Sequence, residues 1–583
     1  MESESKRKVF GVLKSQLENE RSSFISHWRD LGDYILPRRP RFFVSDTNRG
    51  ERRNQKIIDS TATLAARTLR SGMMAGVTSP ARPWFRLTTP DPDLAEFGAV
   101  KEWLHNVTQR MSTVFLRSNL YNALPTVYGD MGTFGTAAMS VEEDFHDVIR
   151  CYPFPVGSYM IANDDRLAVN VFFREFRMTV RQLVQKFGKK NGAGEIDWSN
   201  FSEMVKSAYM NNQREAWIDV CHVVLPNDDY NPDKIDAKYK KFVSCYYEAG
   251  TSNATSGNYL RNDDNRYLRE SGYDYFPFLC PRWEVTGEDV YGTECPGMST
   301  LGDVKALQLM HKRKAQAIEK MVNPPMVGPS SLRTMKASIL PGDITYSDER
   351  EGQKGFRPAH EVNPRIQELL MDIQDHQNRV RRGFYEDLFL MLSTSDRRQI
   401  TAREIEERHE EKLLALGPVL EQLNQDLLDP LIDITFNVLV KQGMIPEPPE
   451  ELQGIDLKVE YISIMAQAQK LAGISGLERF AGMVGQMVQS TGDPSILDKV
   501  DADQFIDEYG DITGIPPRII RPDEDVKAIR EGRAKAQQAQ AATAQAKEVT
   551  SSVKDLSQTD MSGDNALTRL AKMAEAGQLV PGA

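Results

Sequence analysis

The chain has 583 residues, and its 72 Lys and Arg against 83 Asp and Glu give a net charge of −11. This length predicts two to four domains with substantial cores, and the acidic balance argues against a protein that grips nucleic acid over a broad surface. The five cysteines form no C-x-x-C pair and no stretch reaches 18 apolar residues, so no disulfide framework, secretory signal or membrane span is predicted.

The first part of the chain is predicted to be mainly helical. Lys6–Leu36 has the apolar spacing of an amphipathic helix. Arg38–Lys56 is basic and is interpreted either as a partner-binding or nucleic-acid-binding arm or, more simply, as a solvated loop. The next helix is predicted to begin with Asp59 as its N-cap, and its many Ala and Gly residues favour close helix packing. Val100–Phe115 is a further predicted helix.

From Gly132 onward the pattern changes toward the two-residue period of half-buried strands. Strands are predicted within 167–173, Trp217–Leu225 and Lys241–Glu248, and Thr179 is placed to cap a short helix. The first 295 residues are therefore predicted to form an α+β domain.

Two helices separated by a helix-poor insert follow. Ser299–Val322 carries an apolar stripe at steps of three and four on one face and five cations on the other. A second helix is predicted over Pro364–Leu392, and Asn323–Pro364 holds six prolines and four glycines in 42 residues. This composition predicts short strands and turns. Because the insert is far longer than an ordinary helix connection, a small folded unit or a functional projection is favoured over a simple loop.

The last third is predicted to be helical in several pieces. Thr401 and Glu404 form a capping box that predicts a helix start, and Pro430 predicts a kink before that helical run closes at Gly443. Tyr461–Ser490 and Asp523–Glu548 are also predicted helices, whereas the residues after Thr550 are only weakly patterned.

No catalytic or metal-binding signature is present. The chain lacks a phosphate-binding G-x-x-x-x-G-K-[ST] loop, and His409-Glu410 lacks the second histidine of a zinc helix. Cys221 and His222 lie in a predicted strand, where burial is the simpler interpretation than metal ligation. No catalytic residue, metal or cofactor is therefore predicted.

Several short segments, in this order, resemble the head-to-tail connector, or portal, proteins of short-tailed bacteriophages. They are Asp59–Ala62, Gly72–Pro80, Arg82–Phe85, Ser118–Tyr121, Phe134–Met139, Glu142–Asp144, Pro281–Trp283, Gly287–Glu288, Tyr291–Gly292, Gln399–Ile405, Leu416–Leu420 and Gly443–Pro446. No single segment is a sharp motif, but together they extend over about residues 20 to 470.

The resemblance implies a mainly α, α+β portal fold with an α/β wing, a two-helix stem, a small clip insert and a helical crown. The implied parts are the wing at 1–298, the first stem helix at 299–322, the clip at 323–363, the second stem helix at 364–392, the tunnel loop at 393–400, a long kinked wing helix at 401–446, the crown at 447–548 and a mobile tail at 549–583.

The resemblance also implies a function. Such proteins form a ring of about twelve subunits, a dodecamer, at one capsid vertex, as closed symmetric homo-oligomers do. The ring is the channel for double-stranded DNA during viral genome packaging and DNA ejection. The implied partners are further copies of the chain, DNA without sequence specificity, the terminase packaging motor, tail adaptor proteins, and capsid and scaffolding proteins, with no membrane. The implied location is the virion, with assembly in the host cytoplasm. The alternative is a metal-dependent nucleic-acid enzyme such as a nuclease.

The resemblance implies three sets of site residues. The tunnel loop would present Ser393, Ser395, Arg397, Arg398 and Gln399 to DNA, with phosphate contacts that carry no base information. The charged stem residues are Lys305, Lys312, Arg313, Lys314, Glu368, Asp372 and Asp375. Cations lining the channel would hold DNA, so they are expected to point away from the lumen or to meet these acids. The clip residues Met326, Leu332, Ile339, Leu340, Ile344 and Phe356 are too few for a core and are expected to be buried by neighbouring subunits.

Overall fold

The computed structural model describes residues 6–40, 50–91, 94–95, 97–190, 192, 194–249, 267–333, 337–338, 343–346, 355–359, 365–394, 416–452, 454, 457–462, 480–490, 499–506 and 526–540. The chain divides into two compact units. One comprises Met1–Pro90 with Glu102–Lys499, and the other comprises Asp91–Lys101 with Val500–Ala583. The predicted mixture of helices and strands is confirmed.

Most of the helices lie in the larger unit. They are α1 (Lys6–Tyr34), α2 (Thr61–Gly76), α3 (Gly98–Arg117), α4 (Leu120–Phe134), α5 (Val180–Phe187), α6 (Glu203–Met210), α7 (Pro296–Val322), α8 (Ile366–Gly383), α9 (Glu386–Thr394), α10 (Gly417–Leu423) and α11 (Asp429–Lys441). A π-helical turn, Asn424–Leu428, joins α10 to α11 at the predicted kink. Residues 480–490 are also helical, as are residues 526–540 of the smaller unit.

Within the described residues, the strands form four antiparallel sheets. They are β1 (Phe85–Thr88), β2 (Ala138–Asp144), β3 (Val148–Phe154), β4 (Tyr159–Asn163), β5 (Val169–Thr179), β6 (Trp217–Pro226), β7 (Phe242–Glu248), β8 (Arg269–Tyr273), β9 (Phe278–Leu279), β10 (Met326–Val327), β11 (Arg357–Pro358) and β12 (Lys458–Tyr461). The largest sheet has the order β4-β5-β6-β7-β8, a second has the order β3-β2-β9, and β1–β12 and β10–β11 are pairs.

The five-stranded sheet is covered on both faces. Phe10 and Leu17 of α1 pack with Phe173 and Val223 on one face. On the other face, α5 and α6 pack over Val220 and its neighbours. Residues adjacent along a strand point to opposite faces, which explains how both sides become apolar. The predicted cap at Thr179 is confirmed, and it is part of a capping box: the Thr179 side chain accepts from the Gln182 N–H, and the Gln182 side chain accepts from the Thr179 N–H.

The small residues of α2 permit close packing, as the sequence predicted. A Cβ atom on Gly72 would lie 2.1 Å from Cγ of Phe389, and one on Gly132 of α4 would lie 2.6 Å from a methyl group of Leu69. Any larger residue at Gly72 would displace α9 from α2.

Four predictions about local structure were wrong. The predicted helix over Pro364–Leu392 is two helices, because Tyr385 adopts a positive φ of 55° between α8 and α9. Ser60, not Asp59, occupies the N-cap of α2. The predicted crown includes a strand, since β12 pairs with β1 from Phe85↔Tyr461 to Thr88↔Lys458. Arg39, assigned to a solvated loop, donates from Nε at 2.7 Å to both carboxylate oxygens of buried Asp130.

Candidate functional site

The candidate site is the helix pair α7 and α8 with the segments around it. Pro296 occupies the first turn of α7, so the helix begins three residues before the predicted start. The two helices pack along Val304 and Leu307 of α7 and Ile373 and Val380 of α8, all four of which are buried. Near the end of α8, a Cβ atom on Gly383 would lie 2.3 Å from the Thr300 methyl group, so glycine permits this close approach.

A polar junction ties this pair to the start of α2. One carboxylate oxygen of Asp59 accepts from the Thr61 N–H at 2.9 Å, and the other accepts from Nε2 of Gln377 at 2.9 Å. Nε2 of His311 lies 3.2 Å from that second oxygen. Burial acts to raise the pKa of Asp59, but the hydrogen bonds from Thr61 and Gln377 and the charge of His311 outweigh it, so the pKa lies below its ordinary value.

Gln308 strengthens the same junction from α7. Its side-chain oxygen accepts from the backbone N–H groups of Ile58 and Asp59 at 2.6 and 2.8 Å, and its amide donates to the Asp59 carbonyl at 3.0 Å. A second interhelical contact joins Nδ1 of His376 to a carboxylate oxygen of Asp303 at 2.7 Å. The sequence did not predict these contacts, because His311 lies at a helical step within the apolar stripe of α7 and no local pattern marks Gln308 or Gln377.

The charged stem residues do not pair as expected within one chain. Lys305 contacts Asp30 of α1 at 2.6 Å. Asp375 pairs with Arg379 at 2.6 Å and Glu368 with Arg365 at 2.9 Å. These acids lie three or four residues from a cation on their own helix, and such pairs form locally.

The remaining stem charges lie on the outside of the helix pair. Asp372 is exposed and lies 3.9 Å from His376 of its own helix. Lys312 and Arg313 are exposed and Lys314 is half-buried. Within the described part of the chain, no ion pair joins these three cations to the three predicted acids. Whether any of the cations faces a channel stays a prediction.

The apolar stripe of α7 is covered only in its first half. Val304 and Leu307 are fully buried, whereas Ile318 is 40% and Val322 is 80% exposed. Met321, beside them, is 47% exposed. Because these residues continue the same stripe at steps of three and four, α7 presents an apolar surface that the described residues leave exposed.

The two ends of the predicted clip come together. β10 and β11 pair antiparallel through Met326↔Pro358 and Val327↔Arg357, as the prediction of short strands requires. Leu332 and Phe356 converge on Gly328, where a Cβ atom would lie 2.6 and 3.2 Å from their side chains. Met326, Leu332 and Phe356 are half-buried, and Ile344 is 75% exposed. Ile339 and Leu340 lie outside the described residues.

Most of the predicted tunnel loop lies outside the described residues. Ser393 belongs to α9, so the helix extends into the segment predicted to be loop. Ser395, Arg397, Arg398 and Gln399 are not among the described residues, nor is the capping box at Thr401.

A buried ion pair that the sequence did not reveal joins two distant segments. Arg282 is 1% exposed, and its Nε and Nη2 atoms donate to the two carboxylate oxygens of Asp426 at 2.9 and 3.0 Å. The same Nη2 donates at 2.8 Å to the carbonyl of Leu167, which has a φ of 62°. Asp426 lies in the π-helical turn, so Arg282 connects that turn to the β4–β5 hairpin.

The titratable groups of the described residues give no sign of a reaction centre. All five cysteines are free and buried, and no three His, Cys, Asp or Glu side chains in the described ranges are grouped to hold a metal ion. Burial, together with the charges of Arg174, Lys186 and Arg269, holds the pKa of His222 well below its ordinary value. None of the described helices is long and apolar enough to cross a membrane.

Comparison with known proteins identifies the family. Residues 12–520 match the family described as "Bacteriophage head to tail connecting protein". The chain is 50% identical over 564 residues to the "Portal protein" of Salmonella phage epsilon15, which covers 97% of this chain and 98% of that protein. It is 44% identical over 572 residues to the "Probable portal protein" of Bordetella phage BPP-1, covering 98% and 99% of the two chains. The chain therefore belongs to the family of bacteriophage head-to-tail connecting proteins.

Proposed function

We propose that the chain forms a ring of about twelve subunits at one capsid vertex of the virion, through which double-stranded DNA enters and leaves. The observation that carries the proposal is the uncovered apolar stripe of α7 at Ile318, Met321 and Val322. Neighbouring apolar side chains that the described residues leave exposed on one helix face are typical of a subunit interface. In this assembly α7 and α8 are the stem, and each stripe is covered by the next copy.

The length and charge of the helix pair suit a channel. A helix of 27 residues is about 40 Å long, so about 24 phosphate charges of a DNA duplex would lie alongside α7. Twelve copies of three exposed or half-exposed cations would exceed that number and would hold the DNA if all of them faced it. The intrachain pairing of Lys305 with Asp30 removes one cation per copy from the lumen.

The remaining assignments follow from family membership. The wing and crown would contact capsid and scaffolding proteins, and the clip formed around β10 and β11 would dock the terminase motor and later the tail adaptors. The loop after α9, with Arg397 and Arg398, would approach the DNA. Assembly would take place in the host cytoplasm.

The mass of the purified assembly tests the proposal. Twelve copies of the 65.9 kDa chain make roughly 790 kDa. Ile318→Glu places a charge on the uncovered stripe and should shift the protein toward single subunits, whereas Gln316→Glu, at an exposed position on another face, should leave the large species intact. A wild-type protein that stays at the mass of one chain under all conditions would contradict the proposal.

A further inference from the structure

The tip of the β2–β3 hairpin presents one fully exposed aromatic ring. Asp144 pairs with Val148 at the end of the hairpin, which leaves Phe145, His146 and Asp147 as the loop. Phe145 is 103% exposed. A carboxylate oxygen of Asp144 accepts from the N–H groups of His146 and Asp147 at 2.7 and 3.0 Å, which is the pattern of an Asx-turn.

The backbone at this tip is strained. Val148 has a φ of 70°, although its side chain is branched at Cβ and buried. Glycine or asparagine adopts such a φ with less strain. An isolated exposed ring needs no explanation, but backbone strain at the same hairpin end points to a role in binding.

A cleft of complementary character lies at the other end of β3. It measures about 190 Å³ and is lined by Phe154, Pro155, Ser158, Arg174, Phe176 and Arg177. The Arg174 guanidinium lies between two rings, with Cζ 4.6 Å from the centroid of Phe154 and 4.3 Å from that of Phe176. Its Nε atom is buried without a hydrogen-bond partner among the described residues. A cavity of about 150 Å³ is large enough for benzene, so a phenyl ring fits.

The charges of the two sites are opposite. Asp144 and Asp147 flank Phe145, and Asp147 also lies 3.7 Å from Arg150 of β3, whereas the cleft carries Arg174 with no carboxylate bonded to it in the described structure. The other ionised groups in the cleft are already paired, Arg177 with Asp219 at 2.6 Å and Glu175 with Lys14. Lys186 and Arg269 add positive charge near Arg174, and Glu142 adds negative charge there.

The two sites are too far apart to meet within one chain. They lie at opposite ends of β3, whose seven residues span about 20 Å. We propose that Phe145 of one copy inserts into the Arg174 cleft of the next copy, where its ring packs against the edge of the stack formed by Phe154, Arg174 and Phe176 and the acidic tip faces the cation. Tip and cleft are different surfaces of the same chain, so the contact is head-to-tail and generates a ring when it closes. This inference rests on the proposed ring.

Cross-linking in the assembled full-length protein tests the contact. A His146→Cys, Ser158→Cys variant retains the Phe145 ring and should give a ladder of dimers, trimers and larger species with a short bis-maleimide reagent, because its five native cysteines are buried. The matched control, His146→Cys with Ile235→Cys, uses a 96% exposed position outside the cleft and should give no ladder. Rings that form normally but give no ladder, or equal ladders from both variants, would overturn this contact while the ring proposal stands. The absence of rings in the wild type would overturn both.

Association measurements give a second readout. Phe145→Ala should weaken assembly about 30-fold, the effect of losing a buried aromatic anchor. Asp147→Lys and Arg174→Glu should each weaken it, and the two together should recover part of the loss because the charges are exchanged. Tyr230→Ala, at another exposed aromatic residue, should have no effect. Near-ultraviolet circular dichroism of each variant checks that the fold is retained, and equal losses with no recovery in the charge exchange would contradict the contact.

Discussion

The buried pair between Arg282 and Asp426 makes the most demanding prediction about stability. Asp426→Ala leaves the guanidinium of Arg282 without its two carboxylate bonds in a site where the side chain is 2% exposed. Removing one partner of a buried pair costs about 3–5 kcal/mol, because the remaining charge is buried and uncompensated. At about 1.4 kcal/mol per factor of ten, local opening should become between a hundredfold and several thousandfold more frequent.

Hydrogen exchange read by mass spectrometry measures that opening directly. We expect the amides of the π-helical turn and of α11 to lose protection in Asp426→Ala. Arg282→Met with Asp426→Ala should recover much of the loss, since removing both charges of a buried pair is often nearly neutral. Glu143→Ala is the matched control, because it breaks an ion pair with Lys441 that is 65% and 34% exposed and contributes less than about 1 kcal/mol. Unchanged protection in Asp426→Ala, or no recovery in the double variant, would refute the reasoning.

Three further predictions follow from the helix pair and its loops. The low pKa of Asp59 means that its stabilisation is complete above its ordinary pKa of about 3.9 and is lost as the pH falls through the lower folded value. Asp59→Asn should therefore lower the thermal midpoint at pH 7 but change it little near pH 2. An equal decrease at both pH values would contradict stabilisation by the ionised Asp59 carboxylate. Replacing Thr334–Glu351 by a short Gly-Ser linker should leave the subunit folded but impair motor or tail attachment, and normal infectious particles would contradict this role. Arg397→Ala with Arg398→Ala should leave rings intact while changing the length or the leakage of packaged DNA. If neither the packaged length nor the leakage changes, the two arginines have no role in contacting DNA.

The sequence predicted elements whose signals are local. The helix cap at Thr179 and the strands β6 and β7 each depend on residues that are close in the sequence, and each is confirmed. The break at Tyr385 was missed because the apolar spacing of Val380, Phe384 and Leu388 continues across it. That spacing is satisfied equally by one helix and by two helices that pack on the same core.

The contacts that organise the candidate site are between residues far apart in the chain. Arg282 and Asp426 are separated by 144 residues, Asp59 and Gln377 by 318, and the strand pair β1–β12 joins segments more than 370 residues apart. No periodicity identifies such partners, because each residue alone is typical of a loop or a solvated helix face. The polar junction at Asp59 was therefore beyond local reasoning, although the helices that meet there were predicted.

An electron micrograph of the purified full-length protein tests the central claim most directly. The account predicts annular particles with a central hole that admits a DNA duplex, formed by about twelve copies. Particles of uniform size without a hole, or a protein that remains a single subunit, would contradict the proposal that α7 and α8 line a DNA channel.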